Sequence, residues 1–171
     1  MYKFKRLIRA AIFHIRNLVM RSHNLRRDKN LLSHATFDWL ICRTFPHLYA
    51  DRHVNMRSTC MCWGFEIGTG WQQLVWDLSA KLETEILKLP KGERGSYRAS
   101  QVKSKFAGLR FYMTSSTDEI DKLISDAEDE SVRTCEMCGK PGDVYGGGWV
   151  TCYCPKCAAE RGMHVKTAEV E

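Results

Sequence analysis

Two cysteine pairs near the C-terminal end constrain this chain more than any other feature. They are Cys135-Glu136-Met137-Cys138 and, after fifteen intervening residues, Cys154-Pro155-Lys156-Cys157. A two-residue spacer lets a tight turn aim both thiolates of a pair at one point, and two such pairs at this separation form a tetrahedral four-thiolate site. Zinc is the ion that such a site selects. Four thiolates complete its coordination, so the expected role is structural, with one ion per chain. Gly139 follows the first knuckle, where backbone N–H groups turn toward the sulfurs. Gly146-Gly147-Gly148 permits a reversal between two short strands, and Trp149-Val150 begins the return strand. A unit of about forty residues buries too little surface to fold alone. Metal binding, worth roughly 10–16 kcal/mol in comparable peptides, supplies the difference. Cys152 competes with Cys154 for the fourth position, since strand alternation points both to the same side. The spacing of Cys154 and Cys157 makes the better knuckle, and Cys152 is read as a neighbouring free thiol.

Eight cysteines in a chain of 171 residues raise the alternative of a disulfide scaffold. Five of them fall within 23 residues in metal-ligand spacing, and no apolar signal segment is present. A reducing cytoplasm is therefore the expected compartment. No apolar run is long enough to span a membrane.

The net charge of +6 is uneven. Residues 1–60 carry 12 Lys/Arg against 3 Asp/Glu, residues 61–130 carry 9 against 12, and the remainder balances. Nucleic acid, anionic lipid and acidic protein surfaces are all suitable partners for such an arm. Residues 2–20 read as a basic amphipathic helix. Phe4, Leu7, Ile8, Ala11, Ile12, Ile15, Leu18 and Val19 form one stripe, and Lys5, Arg6, Arg9 and Arg16 lie off it. It could pack on the domain, lie on an anionic surface or serve as an organelle address. Arg26 and Arg27 lie in the polar segment that follows.

Further along, His34–Phe45 reads as a helix stopped by Pro46, and 47–59 as irregular. Trp71, Leu74, Val75, Leu78, Leu82, Ile86 and Leu89 mark a long helix broken by Pro90, with Gly64, Gly68 and Gly70 shaping its entry. A β-hairpin is expected from Tyr97–Lys105 and Leu109–Met113, turning at Ala107-Gly108, with Tyr97, Ala99, Gln101, Lys103 and Lys105 on one face. Ser116 and Glu119 have the form of a capping box. They open a helix with Ile120, Leu123, Ile124 and Ala127 inward and Asp118, Asp121, Asp126, Glu128, Asp129 and Glu130 on a solvated face.

Three other groupings bear on chemistry. Lys103, Lys105 and Arg110 interleave with Phe106, Phe111 and Tyr112, a pattern that can hold phosphates and stack bases or simply present core aromatics under a charged face. Gln101-Val102-Lys103 with Glu66 upstream has the form of the strand acid and lysine of metal-dependent nucleases, but a second carboxylate has no evident place. Cys42, Cys60, Cys62, His47 and His53 leave a second metal site open, although Cys-x-Cys alone is a poor chelate.

Three stretches together resemble a group of small proteins of phages, prophages and their bacterial hosts. They are Phe45-Pro46-His47-Leu48-Tyr49-Ala50-Asp51-Arg52-His53, Cys60-Met61-Cys62-Trp63-Gly64-Phe65-Glu66 with Gly68 and Gly70-Trp71, and Gln101-Val102-Lys103 with Lys105-Phe106 and Gly108-Leu109-Arg110-Phe111-Tyr112. The knuckles at Cys135 and Cys154 complete the likeness, which spans about residues 43–160. The resemblance implies Cys154, not Cys152, as the ligand, and it implies no particular activity. This chain departs from it at Ala107, where glycine is usual, and at Thr69, where an acid is usual.

The expected fold is α+β: helices on a β-hairpin over 34–131, a four-cysteine zinc ribbon over 132–161, a basic helical arm over 1–33 and a tail over 162–171. The expected function is non-enzymatic binding of nucleic acid, or of a host protein that handles it, in host takeover or counter-defence. The binding residues would be Lys5, Arg6, Arg9, Arg16, Arg26, Arg27, Lys103, Lys105 and Arg110. A protein–protein inhibitor or adaptor is the alternative, and a small metal-dependent nuclease comes third. No small-molecule substrate is expected.

Overall fold

The computed structural model describes residues 32–146 and 149–163. The expected basic helix, with Lys5, Arg6, Arg9, Arg16, Arg26 and Arg27, lies outside them, as do Gly147, Gly148 and the tail from residue 164.

Helix α1 (His34–Thr44) begins where the Ser33 hydroxyl accepts the Thr36 N–H at 3.2 Å. It buries Phe37 and Ile41. Pro46 prevents its continuation, and Phe45 at its end packs edge-on against Trp76 at 5.1 Å. The turns that follow carry no regular element, yet Leu48 and Tyr49 are buried in the core. Helix α2 (Gln72–Lys88) organises them. Its buried Glu83 accepts the N–H groups of His47 and Leu48 at 3.3 and 2.9 Å and meets His47 Nδ1 at 2.7 Å. Ser79 meets the Tyr49 hydroxyl at 2.6 Å. The apolar stripe of α2 is buried as expected from Leu74 to Ile86, and Leu89 is only half-buried. Each such side chain contributes roughly 1.5–3 kcal/mol.

The sheet has one strand more than the hairpin. Strand β1 (Phe65–Glu66) pairs in parallel with β2 (Ala99–Lys105), and β2 pairs antiparallel with β3 (Gly108–Met113). A register shift between Ala99 and Gln101 breaks the expected alternation, so Ala99 is buried while Gln101 shares the opposite, more open face with Lys103. The turn residues are Phe106 and Ala107, one position earlier than expected, and both are left-handed at φ 54° and 62°. This is the backbone demanded by the tightest hairpin turns.

Helix α3 (Asp118–Ser131) is capped by Thr117, whose hydroxyl accepts the Ile120 N–H at 3.3 Å. The cap therefore falls one residue after Ser116, which leaves Glu119 out of capping-box position. The helix lies along the free edge of β3. Its Glu128 accepts the Phe111 N–H at 3.1 Å and its Ser131 hydroxyl accepts the Leu109 N–H at 2.8 Å. Glu128, expected on the solvated face, instead satisfies an exposed strand edge. A second sheet pairs β4 (Asp143–Tyr145) with β5 (Thr151–Tyr153), which starts two residues after Trp149, and the short α4 (Pro155–Ala159) follows. The architecture is α+β, with a four-cysteine cluster near the C-terminal end.

Candidate metal centre and the basic hairpin

Cys135, Cys138, Cys154 and Cys157 come together, with all four sulfurs within 4.8 Å of one another. The Cys138 and Cys154 sulfurs are 3.6 Å apart, and all four are free thiols. Tetrahedral coordination with metal–sulfur bonds of about 2.3 Å requires sulfurs about 3.8 Å apart. The cluster is thus of the right size to grip one metal ion. Two backbone features shape it. Cys154 caps α4, so that the Cys157 N–H donates to the Cys154 sulfur at 3.4 Å, and Pro155 fixes the first helical position. Gly139, at φ 72°, turns the first knuckle, but its N–H donates to the Cys135 carbonyl at 2.8 Å and not to a sulfur. The Cys157 N–H is the chief cause that lowers Cys154 to about 7, whereas burial raises Cys138 and Cys157. One thiolate is therefore favoured before any metal arrives.

Cys152 stands apart. It is fully buried in the main apolar core, and its thiol donates to the Val132 carbonyl at 3.2 Å. The expectation that Cys152 and Cys154 share a side fails because β5 ends at Tyr153 and the chain turns into α4 at Cys154.

The knuckle is seated on the loop before α2 through a dense polar seam. Gly70 N–H donates to the Glu136 carbonyl at 2.8 Å, Thr69 Oγ1 to the Met137 carbonyl at 3.1 Å, and Trp71 Nε1 to the Thr134 carbonyl at 2.7 Å. The Glu136 carboxylate accepts the Gly68 N–H at 3.0 Å, Ser104 Oγ at 3.0 Å and Thr151 Oγ1 at 3.3 Å. A Cβ at Gly68 or Gly70 would stand 2.3 Å from the Glu136 or Cys135 carbonyl oxygen. These glycines serve the close approach of the knuckle, not only the entry to α2. Glu136 was missed in the sequence because spacer residues in a knuckle carry no periodic signal. Its position inside a Cys-x-x-Cys turn opposite a Gly-x-Gly loop is the signal that could have found it.

On the hairpin, Lys103 stands opposite Arg110 and Gln101 opposite Tyr112, so all four share one face. Arg110 is half-buried and pairs with Glu128 at 3.4 Å. Lys103 and Lys105 have no ion-pair partner among the described residues, and Lys105 lies over the Phe106 ring at 4.9 Å. Phe106 is 70% exposed and Tyr112 is 43% exposed. Phe111 instead belongs to the core. Glu66 lies beside Lys103 in the sheet, and its carboxylate accepts from Gln101 at 3.2 Å. Among the described residues, Cys42, Cys60, Cys62, His47 and His53 do not gather into a metal-binding group. Nor is any described helix long and apolar enough to cross a membrane.

The chain matches no family model, no curated protein and no solved structure.

Proposed function

We propose that this is a zinc-stabilised, non-enzymatic protein that binds nucleic acid through the β2–β3 hairpin. Zinc is the ion that four thiolates at this separation favour, and a closed shell of four gives it a structural role. The ion would hold the knuckle against Gly68–Trp71 in a short zinc ribbon. The observation that carries the binding reading is Phe106. A bulky residue in the left-handed region costs roughly 1–2 kcal/mol. Here that backbone holds a largely exposed aromatic ring at a turn tip under Lys105, and neither Lys105 nor Lys103 has an ion-pair partner among the described residues. Locally strained, solvent-facing aromatics among cations are suited to stacking on bases while the cations meet phosphates. The basic arm over 1–33 would add further phosphate contacts, and the resemblance to phage and prophage proteins gives a setting of host takeover or counter-defence.

The test is anisotropy titration of labelled single-stranded and duplex oligonucleotides at two salt concentrations. K103A and K105A should each weaken binding and lower the slope of log affinity against log salt by about one unit. A wild-type protein that binds no oligonucleotide would remove the reading and leave a protein partner in its place.

A further inference from the structure

A cleft of about 520 Å³ opens beside the helical turn Cys60–Trp63, lined by Asn55, Met56, Arg57, Cys62 and Trp63. The turn is firmly held. The Thr59 hydroxyl accepts the Met61 N–H at 3.1 Å and donates to the Ser100 carbonyl at 3.3 Å, and Met61 is fully buried. Arg52 grips Asp38 at 2.6 and 2.9 Å and donates to the Cys62 carbonyl at 2.8 Å, tying the turn to α1. This anchored turn nevertheless exposes its largest side chain. Trp63 is 62% exposed and Met56, lining the same cleft, is 61% exposed.

The polar groups at the rim are equally uncommitted. Asn55 Oδ1 accepts the Arg57 N–H at 2.9 Å, which leaves its amide N–H donors available to a ligand. The Arg57 guanidinium has no ion-pair partner among the described residues. An indole, a thioether, an amide and a free guanidinium in one cleft match the parts of a nucleotide: a flat aromatic face, a polar base edge and a phosphate.

We propose that this cleft receives one unpaired base of a single-stranded nucleic acid. The base stacks on Trp63 beside Met56, Asn55 hydrogen-bonds its edge, and Arg57 meets the adjoining phosphate. The inference rests on the nucleic-acid reading above and adds to it a second, base-holding contact and a preference for single strands.

The test uses the full chain with a labelled single-stranded DNA, an RNA of the same sequence, and the DNA annealed to its complement. Trp63→Ala should lower single-strand affinity roughly ten-fold, within the range for loss of one base stack, and leave duplex affinity unchanged. The tighter of the two single strands identifies the source of the base. Trp63→Phe, which keeps an aromatic face, should retain most of the affinity and guards against a folding artefact. Arg57→Ala should lower the single-strand salt slope by about one unit. Three results would overturn the assignment: Trp63→Ala binding single strands like wild type, equal losses on single strand and duplex, or Trp63→Phe losing as much as Trp63→Ala. If K103A still weakens binding in the first case, the cleft assignment fails while the hairpin reading stands. Absence of any binding by wild type removes both.

Discussion

Gly70→Ala tests whether the cysteine knuckle is truly seated on the loop before α2. The added Cβ would lie 2.3 Å from the Cys135 carbonyl oxygen, 2.5 Å from the Gly139 nitrogen and 2.6 Å from the Cys138 nitrogen. All three are backbone atoms, and a metal bound at Cys135 and Cys138 would hold them in place. No side chain can rotate away, so the knuckle and the loop must separate. Overpacking of this kind costs about 1–3 kcal/mol, and weakening the bond from Gly70 N–H to the Glu136 carbonyl adds about 1 kcal/mol. Replacing glycine also removes entropy from the unfolded chain, which offsets about 0.4–1 kcal/mol. The expected net loss is about 1–3.5 kcal/mol, a substantial share of the 5–15 kcal/mol typical of a domain.

Urea unfolding of metal-loaded protein reads this directly. Gly92→Ala and Gly95→Ala are the controls, because a Cβ at either meets nothing within 4 Å. Both should stay within about 0.5 kcal/mol of wild type. Gly70→Ala should also give up its metal to a chelator sooner, because the seam supports the first knuckle. A Gly70→Ala midpoint indistinguishable from the controls would refute the seam and make the C-terminal unit an appendage.

Other outcomes follow from individual residues. Elemental analysis should find one zinc per wild-type chain and per Cys152→Ser chain, and loss of the ion from Cys135→Ser, because Cys152 points into the core and not into the cluster. Phe106→Gly should raise stability by about 1 kcal/mol by relieving the left-handed backbone, while weakening oligonucleotide binding in the same titration. Burial raises the Cys42 thiol to about 12, with Asp38 adding to it. Alkylation followed by mass spectrometry at pH 8 should therefore modify exposed Cys60 well before Cys42. The linked stability runs the same way. A thiol raised from 9.0 to about 12 contributes fully below pH 9, and that contribution is lost as pH rises toward 12.

The parts of the fold that were legible in the sequence are those with a period or a fixed spacing. The stripe from Trp71 to Ile86 announces α2, and Pro46 and Pro90 end their helices because proline cannot continue one. The four cysteines were legible because chelation demands their spacing. Contacts without a period were not legible. Strand β1 is only two residues long, and its pairing with β2 joins Phe65 to Val102 across 37 positions of chain. The shift at Ala99 moves one side chain inward by a bulge that alternation cannot foresee. Leu48 and Tyr49 enter the core from turns because Glu83 and Ser79 on α2 satisfy their polar groups. The roles of Glu128 and Glu136 were not legible either, since only the folded edge of β3 and the glycine loop supply the donors that claim them.

The disposition of those acids bears on what the surface can bind. Asp38 is taken by Arg52, Asp51 by Arg98, Glu128 by Arg110 and the Phe111 N–H, and Glu136 by three donors along the knuckle seam. The three ion pairs each offset a negative charge, whereas Glu136 keeps its charge among neutral donors, and all of these contacts hold two elements together. Near β2 and the Cys60–Trp63 turn, Lys103 and Lys105 on the hairpin and Arg57 at the cleft have no ion-pair partner among the described residues, and neither does Glu66, whose carboxylate accepts from Gln101. Lys105 lies over the exposed Phe106 ring, and Arg57 lines the cleft together with the exposed Trp63. Free cations at low salt are steered toward polyanions, and adjacent rings give a flat ligand somewhere to rest. The same packing that pairs Asp38, Asp51 and Glu128 with arginines thus leaves Lys105 and Arg57 beside exposed rings, chemistry that suits phosphate and base together.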